Sequence, residues 1–240
     1  MSRLILWAAL LAWVAPCLGD DPLPRLRHTC YLVLVAEEGQ AVGASFQCIQ
    51  HGTYPDWLEY ALYDRAGQEL TWGQVQPGGQ ATLETPVVTP GLHVLELASG
   101  WNLSTCAPAG LPWAFVVSSR LPLQSVGEVP TLFFHVPAGL GSFSIFAHSS
   151  VVGEGIRLEI LDPNGQVSRV YDGDADALQK ITVTVPAGSD GAEWSVRVAR
   201  PETPGMHLDD CLLYLSDDLP PFLAPTAEMA RALAQRSDWR

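Results

Sequence analysis

Hydrophobic and polar residues alternate over short stretches along most of the chain. In IRLEI, Ile156, Leu158 and Ile160 fall on one side and Arg157 and Glu159 on the other, the period of two that gives a strand one buried face. Similar runs, TLFFHV, SFSIFAH, KITVTV, WSVRVA and CLLYLS, follow at short intervals, separated by PAGLG, DPNG and PAGSDG. In DPNG the proline presets φ while Asn164 and Gly165 accept positive φ, so the stretch turns the chain. Strands this short and this regularly interrupted predict an all-β fold of antiparallel sandwich type. The tail differs. Thr226 can cap a helix from Ala227 to about Gln235, with Glu228 in its first turn. An isolated helix of that length is marginal in water, so residues 219–240 read as a tail that is either helical or frayed.

The pattern occurs twice. LEYALYDRAGQ, Leu58 to Gln68, is echoed by LEILDPNGQ, Leu158 to Gln166, and Asp64, Gly67 and Gln68 match Asp162, Gly165 and Gln166 at a constant shift of 98. The same shift sets Trp113, Phe115 and Val117 against Cys211, Leu213 and Leu215. A repeat of this length corresponds to whole domains rather than to solenoid units. The expectation is two tandem jelly-roll-like β-sandwich modules, residues 28–120 and 121–218. Carried across the repeat, the alternation sends Leu58, Tyr60 and Leu62 to the core and Trp57, Glu59, Ala61 and Tyr63 outwards. The counterparts of Trp57 and Tyr63 are Gly155 and Leu161, so the first module carries two aromatic rings on a face its sister leaves plain. Trp72 and Trp101, in TWGQ and SGWNLS, extend the candidate platform. Flat rings beside a carboxylate such as Glu59 suit a sugar ring or a peptide, because the ring covers C–H surface while the acid takes hydroxyl or amide donors. The same rings would equally serve to pack against the second module, the tail or a protein partner.

At the other end, LILWAALLAWVAP follows Arg3 and precedes CLGDD, the layout of a secretory signal over residues 1–19. The run is short for a membrane span, and no later stretch is apolar for long enough to be one. Removal of residues 1–19 takes away Arg3 and no acid, moving the net charge from −13 to −14. A chain this acidic, with Lys180 as its one lysine, is repelled by phosphate backbones, which argues against a nucleic-acid partner. Secretion or a periplasmic location would expose Cys30, Cys48, Cys106 and Cys211 to oxidising conditions, in any of three disulfide pairings. A hairpin turning near Gly39 would set Cys30 opposite Cys48, with Cys106 as a competing partner. NLS at Asn102 is an N-glycosylation sequon.

Three aspartates, Asp172, Asp174 and Asp176, occupy alternate positions in YDGDADALQ. A calcium loop of the EF type needs oxygens at alternate positions, glycine at the sixth and glutamate at the twelfth. Here those two positions are Ala177 and Val183. Two readings stay open: calcium held with carbonyls and further carboxylates such as Asp162 or Asp190, and a solvated acidic turn. No other cofactor is indicated. Catalytic motifs are missing too: the chain has no HExxH, CxxC or GxSxG, and its six histidines are scattered. The expectation is a protein that is not an enzyme, with a hydrolase using an unrecognised site as the weakest alternative.

LEILDPNGQV, VPAGSDGAEWSVRV and the closing CLLYLSDDLPPFLAP give residues 128–225 a family likeness. They resemble accessory β-sandwich modules of exported bacterial proteins, the pre-peptidase C-terminal-like and carbohydrate-binding-like domains. The resemblance implies an extracellular or periplasmic accessory role and brings no catalytic motif. Two functions follow as expectations. One is binding of carbohydrate or a surface polymer through Trp57, Glu59, Tyr63, Trp72 and Trp101. The other is a structural or protein-interaction role in the cell envelope.

Overall fold

The computed structural model describes residues 23–86, 89–149 and 151–236; the expected signal segment, residues 1–19, lies outside them. The first half carries β1 (Leu26–Ala36), β2 (Ala41–Ile49), β3 (Leu58–Tyr63), β4 (Glu69–Val75), β5 (Gln80–Pro86), β6 (Gly91–Ala109) and β7 (Trp113–Val116). The second half carries β8 (Leu123–Val126), β9 (Val129–Val136), β10 (Ser142–His148), β11 (Gly155–Leu161), β12 (Val167–Asp174), β13 (Gln179–Thr184), β14 (Ala192–Ala199), β15 (Asp210–Leu215) and β16 (Phe222–Leu223). Helix α1 (Ala227–Ala234) follows, with the Thr226 side chain accepting a bond from the Met229 amide as its N-cap. All strand pairs are antiparallel apart from one isolated bridge between Glu154 and His207. The all-β sandwich expected from the alternation is present.

Strands β1 and β6 are long because each passes from one layer of the sandwich to the other. β1 bends at His28, whose φ of 58° lies in the left-handed region, and its register against β6 slips between Arg27 and Thr29. β6 bends near Gly100, with φ 57°, where an added Cβ would come within 2.6 Å of the Asp56 carboxyl carbon. In the second half, Gly127 (φ 78°) breaks the corresponding long strand into β8 and β9. A non-glycine residue in this conformation costs about 1–2 kcal/mol, and His28 bears that cost where the first half keeps the strand whole.

The two layers continue from one half into the other. In one, the order is β13-β10-β15-β8-β1-β6-β2-β5, and the halves meet where Leu26 of β1 pairs with Ser125 of β8. In the other, β4-β3-β6-β1-β7-β16 reaches β12-β11-β14-β9 through the Phe133–Ala224 bridge. At the first seam, the start of β1 meets its counterpart β8; at the second, β7 meets its counterpart β16, with Phe222 opposite Val116. Like strands meeting antiparallel is the arrangement of a twofold, self-complementary contact, here within one chain.

One buried cluster fills the space between the layers and draws on both halves, from Leu26, Leu32 and Phe46 to Phe143, Trp194 and Leu223. Aromatic rings cross it: Phe46 of β2 stacks on Tyr60 of β3 at 4.4 Å, and Phe143 of β10 meets Phe134 and Trp194 edge-on at 5.4 and 5.3 Å. Each such side chain contributes about 1.5–3 kcal/mol on burial. Beside the first seam, Arg27 of β1 reaches across to pair with Asp210 of β15. Helix α1 covers the outer side of the second seam: Ala230 and Leu233 pack on Val33, Ala114, Phe222 and Ala224. Arg231 adds two bonds to the Glu193 carboxylate, the Nε one at 3.0 Å. The tail is therefore held by tertiary contacts that an isolated helix lacks.

Two sequence expectations are corrected here. The shift of 98 matches β3 and β4 to β11 and β12, but longer connections in the second half then displace it. β15 pairs with β10 as the end of β6 pairs with β2, so Cys211 and Leu213 correspond to the end of β6 and not to Trp113 and Phe115. The hairpin that would join Cys30 to Cys48 does not form either. The chain turns near Gly39, yet β1 and β2 both pair with β6 and not with each other, Cys30 opposite Leu97 and Cys48 opposite Ser104. Cys30, Cys48, Cys106 and Cys211 are all buried free thiols. Burial pushes Cys30 up to about 11 and Cys211 up to about 12, and raises Cys48 and Cys106, which keeps all four protonated and unreactive.

A core shared in this way predicts a single unfolding transition. Urea melts followed by tryptophan fluorescence and by far-ultraviolet circular dichroism should coincide; two separated transitions, or a fragment of residues 121–236 that folds alone, would contradict it.

Candidate functional site

The outer face of β4, β3, β6 and β1 is built by pairing. Trp72 stands opposite Ala61, Ala61 opposite Glu96, and Glu96 opposite Tyr31, so four residues from four strands form one row. Neighbouring strands lie about 4.8 Å apart, and Ala61, with only a methyl group, stands between Trp72 and Glu96 in the row. One pair along, Tyr63 lies opposite Val94; one pair the other way, Glu59 lies opposite Ala98 and accepts a 2.9 Å bond from Gln74 Nε2. Tyr31 stands directly across from Glu96, and Tyr63 one pair along β3. Burial first, and then the Glu96 charge, raise both phenols, so they remain donors at neutral pH. Trp72 is 63% exposed and Trp57 49%. β3, β4 and the first part of β6 contain no lysine or arginine.

Trp101 sits elsewhere. Beyond the bend at Gly100 it belongs to a ladder of rings, 5.9 Å from Tyr54 and edge-on to His28 at 4.8 Å, with His51 6.2 Å from Tyr54. These rings stack mainly on one another. Below them the Asn102 side chain is fully buried. It donates to the carbonyls of Tyr54 and Asp56 at 3.1 and 2.7 Å and accepts from the His51 amide at 2.9 Å. In the folded chain the sequon asparagine thus fixes the loop between β2 and β3, and its nitrogen is not accessible to a glycan.

The corresponding face of the second half is closed. Pairing makes Val170, Glu159 and Arg197 the counterparts of Trp72, Ala61 and Glu96. At the place of Ala61, Glu159 accepts bonds from Arg157 and Arg197, each 2.7 Å from Nε. The Arg157 bond, outweighing burial, and the Arg197 bond lower its pKa. Arg157 also reaches Asp172 and Glu202 at 3.0 Å. Residues 200–209, an insertion where β6 of the first half runs on without a break, bring the amides of Glu202 and Thr203 onto Asp172. At Gly155, the counterpart of Trp57, an added Cβ would lie 2.8 Å from both the Gly173 carbonyl oxygen and the Met206 Cβ.

The three aspartates of the candidate calcium loop have separate partners. Asp172 accepts bonds from Arg157, the Glu202 amide, and the Thr203 amide and hydroxyl. Asp174 caps the Asp176 amide at 2.7 Å, and Asp176 accepts from the Gly153 amide at 3.0 Å. Among the described residues no three His, Cys, Asp or Glu side chains are grouped to hold a metal ion. Alternation in sequence could not show this, because the partners of Asp172 come from β11 and the 200–209 loop. Likewise Tyr31 and Glu96, which complete the first-half face, escaped the sequence reading. They lie on strands distant in sequence that only the register of β1, β6 and β3 brings together.

No family model matches the chain, and no curated protein matches it. Among solved structures it is similar to the M60 catalytic domain with the CBM51-1 and CBM51-2 domains of Clostridium perfringens ZmpB, at 8% identity and a TM-score of 0.26, over 81% of this chain and 36% of that one. It is also similar to a chain of the naturally occurring empty particles of cowpea mosaic virus, at 11% identity and a TM-score of 0.26, over 92% and 97%. Both overlaps are loose. What fold and site define together is an all-β sandwich with one open aromatic and acidic face and one closed by ion pairs. No helix among the described residues is long and apolar enough to cross a membrane.

Asp172 offers a check on the closed face. Burial alone would raise its pKa, but the bonds from Glu202, Thr203 and Arg157 outweigh burial and hold it at about 2, below the ordinary value of about 3.9. A depressed carboxyl stabilises the fold above its unfolded pKa, and that stability is lost as pH falls through the folded one. Urea midpoints should therefore fall between about pH 4 and pH 2, and Asp172→Asn should flatten the fall. An equally steep fall in the variant would contradict the assignment.

Proposed function

We propose that the protein is an exported, non-catalytic binding protein whose ligand is a carbohydrate or a sugar-containing surface polymer, taken up on the outer face of β3, β4 and β6. The observation that carries the reading is the difference between two equivalent faces. The second half fills the place of Ala61 with Glu159, bonded to Arg197, and ties residues 200–209 to Asp172 one pair along. The first half leaves Trp72 exposed opposite Ala61 and Trp57 exposed at the start of β3. Burying an indole is favourable by default, so exposed rings kept together on a rigid sheet support contact with something else. A pyranose ring suits this face: its C–H side covers Trp72 while its hydroxyls donate to Glu59 and Glu96. The sheet also holds the rings in place, which keeps the ordering cost of binding low.

Export rests on the apolar run of residues 4–16, and the absence of catalysis on the lack of nucleophile and metal motifs in the sequence. Retention of the protein on a panel of insoluble polysaccharides tests the reading. Trp72→Ala and Tyr63→Ala should each weaken retention by about tenfold, the scale of a partly buried ring contact. Val170→Ala, at the matching place in the second half, should leave it unchanged. No retention on any polysaccharide, or equal loss in all three variants, would contradict it.

A further inference from the structure

The open face has a chemistry narrower than sugars at large. Within its rows the groups able to take a ligand are carboxylates and aromatic rings: Glu96 at the centre, Glu59 one pair away, and Trp72, Tyr63 and Tyr31 around them. Of its strands, β3, β4 and the first part of β6 contribute no lysine or arginine, and Arg27 of β1 is paired with Asp210, in a chain of net charge −13. The matching row in the second half shows how such a carboxylate is satisfied when no ligand is needed, since Glu159 takes two guanidinium groups. Among the described residues no guanidinium or ammonium group bonds Glu96: its cross-strand neighbours are Ala61 and Tyr31, and the places that Arg157 and Arg197 hold in the second half are taken by Glu59 and by Glu96 itself.

From this contrast, and resting on the binding role proposed above, we infer that the open face selects a polymer of amino sugars bearing free ammonium groups. The pyranose ring lies against Trp72 over Ala61. Its ammonium group stands above Ala61, donating to Glu96 beside Tyr31 and Tyr63. A charge-assisted bond of this kind is about twice as strong as a neutral one, and aromatic faces add attraction for a desolvated cation. An N-acetylated sugar keeps the ring and its stacking but loses the charge. A negatively charged polymer is repelled.

Chitosan oligomers and N-acetylated chitin oligomers of equal length separate the two claims, because they share a backbone and differ at the amine. Calorimetric titration is run in mildly acidic buffer, where the amine of the deacetylated oligomer is protonated. The deacetylated oligomer should bind at least about tenfold tighter. Glu96→Gln, which keeps the size of the side chain and removes its charge, should remove that preference. Trp72→Ala, at an exposed position that does not endanger folding, should weaken both oligomers alike. Glu84→Gln, an exposed acid on β5, controls for diffuse attraction of a polycation to an acidic protein and should change nothing. Equal affinity for the two oligomers overturns the amine inference and leaves the binding face standing. A loss in Glu84→Gln as large as in Glu96→Gln also overturns it. No binding of either oligomer to the folded protein overturns the binding face and the inference together.

Discussion

At two seams each half of the chain offers a strand edge to the counterpart strand of the other, β1 to β8 in one layer and β7 to β16 in the second. An unpaired sheet edge is exposed backbone seeking partners, and pairing like with like removes four such edges at once. The same contact makes the two interiors continuous, so that Leu26, Leu123 and Leu223 belong to one buried cluster. It also creates a strip of apolar surface over the second seam, which α1 covers with Ala230 and Leu233. Position of the helix, length of β1 and β6, and the strained backbone at His28 all follow from the need to carry both layers across the junction.

Once the halves are locked, their outer faces are free to diverge. The scaffold fixes where each outward residue stands, and changes at matching positions decide what the face does. A glutamate between two arginines closes one, with a loop tied to Asp172 beside it. An alanine between a tryptophan and a glutamate opens the other. Burial energetics explain why this asymmetry persists. Ion pairs that are nearly out of water need every partner to be worth having, and Glu159, Arg157 and Asp172 each have two or more. The open face has surplus acid and surplus ring, which is a stable state only in contact with water or with a ligand that supplies charge and apolar surface.

Strands and turns were legible in the sequence because alternation and turn chemistry are local. Leu58 and Leu62 are buried and Trp57, Glu59 and Tyr63 point outwards as the period of two requires. Thr226 capped the helix for the same local reason. What escaped the sequence depended on partners far along the chain. Cys30 and Cys48 flank a real turn, yet β6 lies between their strands. The partners of Asp172 in the run of alternate aspartates, Arg157 and the 200–209 loop, likewise lie in other elements. Half of the open face, Tyr31 and Glu96, comes from β1 and β6, whose pairing no local pattern announces.

The central claim is that ligand contact is confined to the open face of the first half. Amide hydrogen exchange, compared with and without a saturating sugar polymer fragment, measures that directly, since bound backbone opens less often. Slower exchange in Leu58–Tyr63, Glu69–Val75 and residues 91–98, with Gly155–Leu161 and Val167–Asp174 unchanged, is the predicted result. Slowing centred on the second half, or spread evenly over both, would contradict the account.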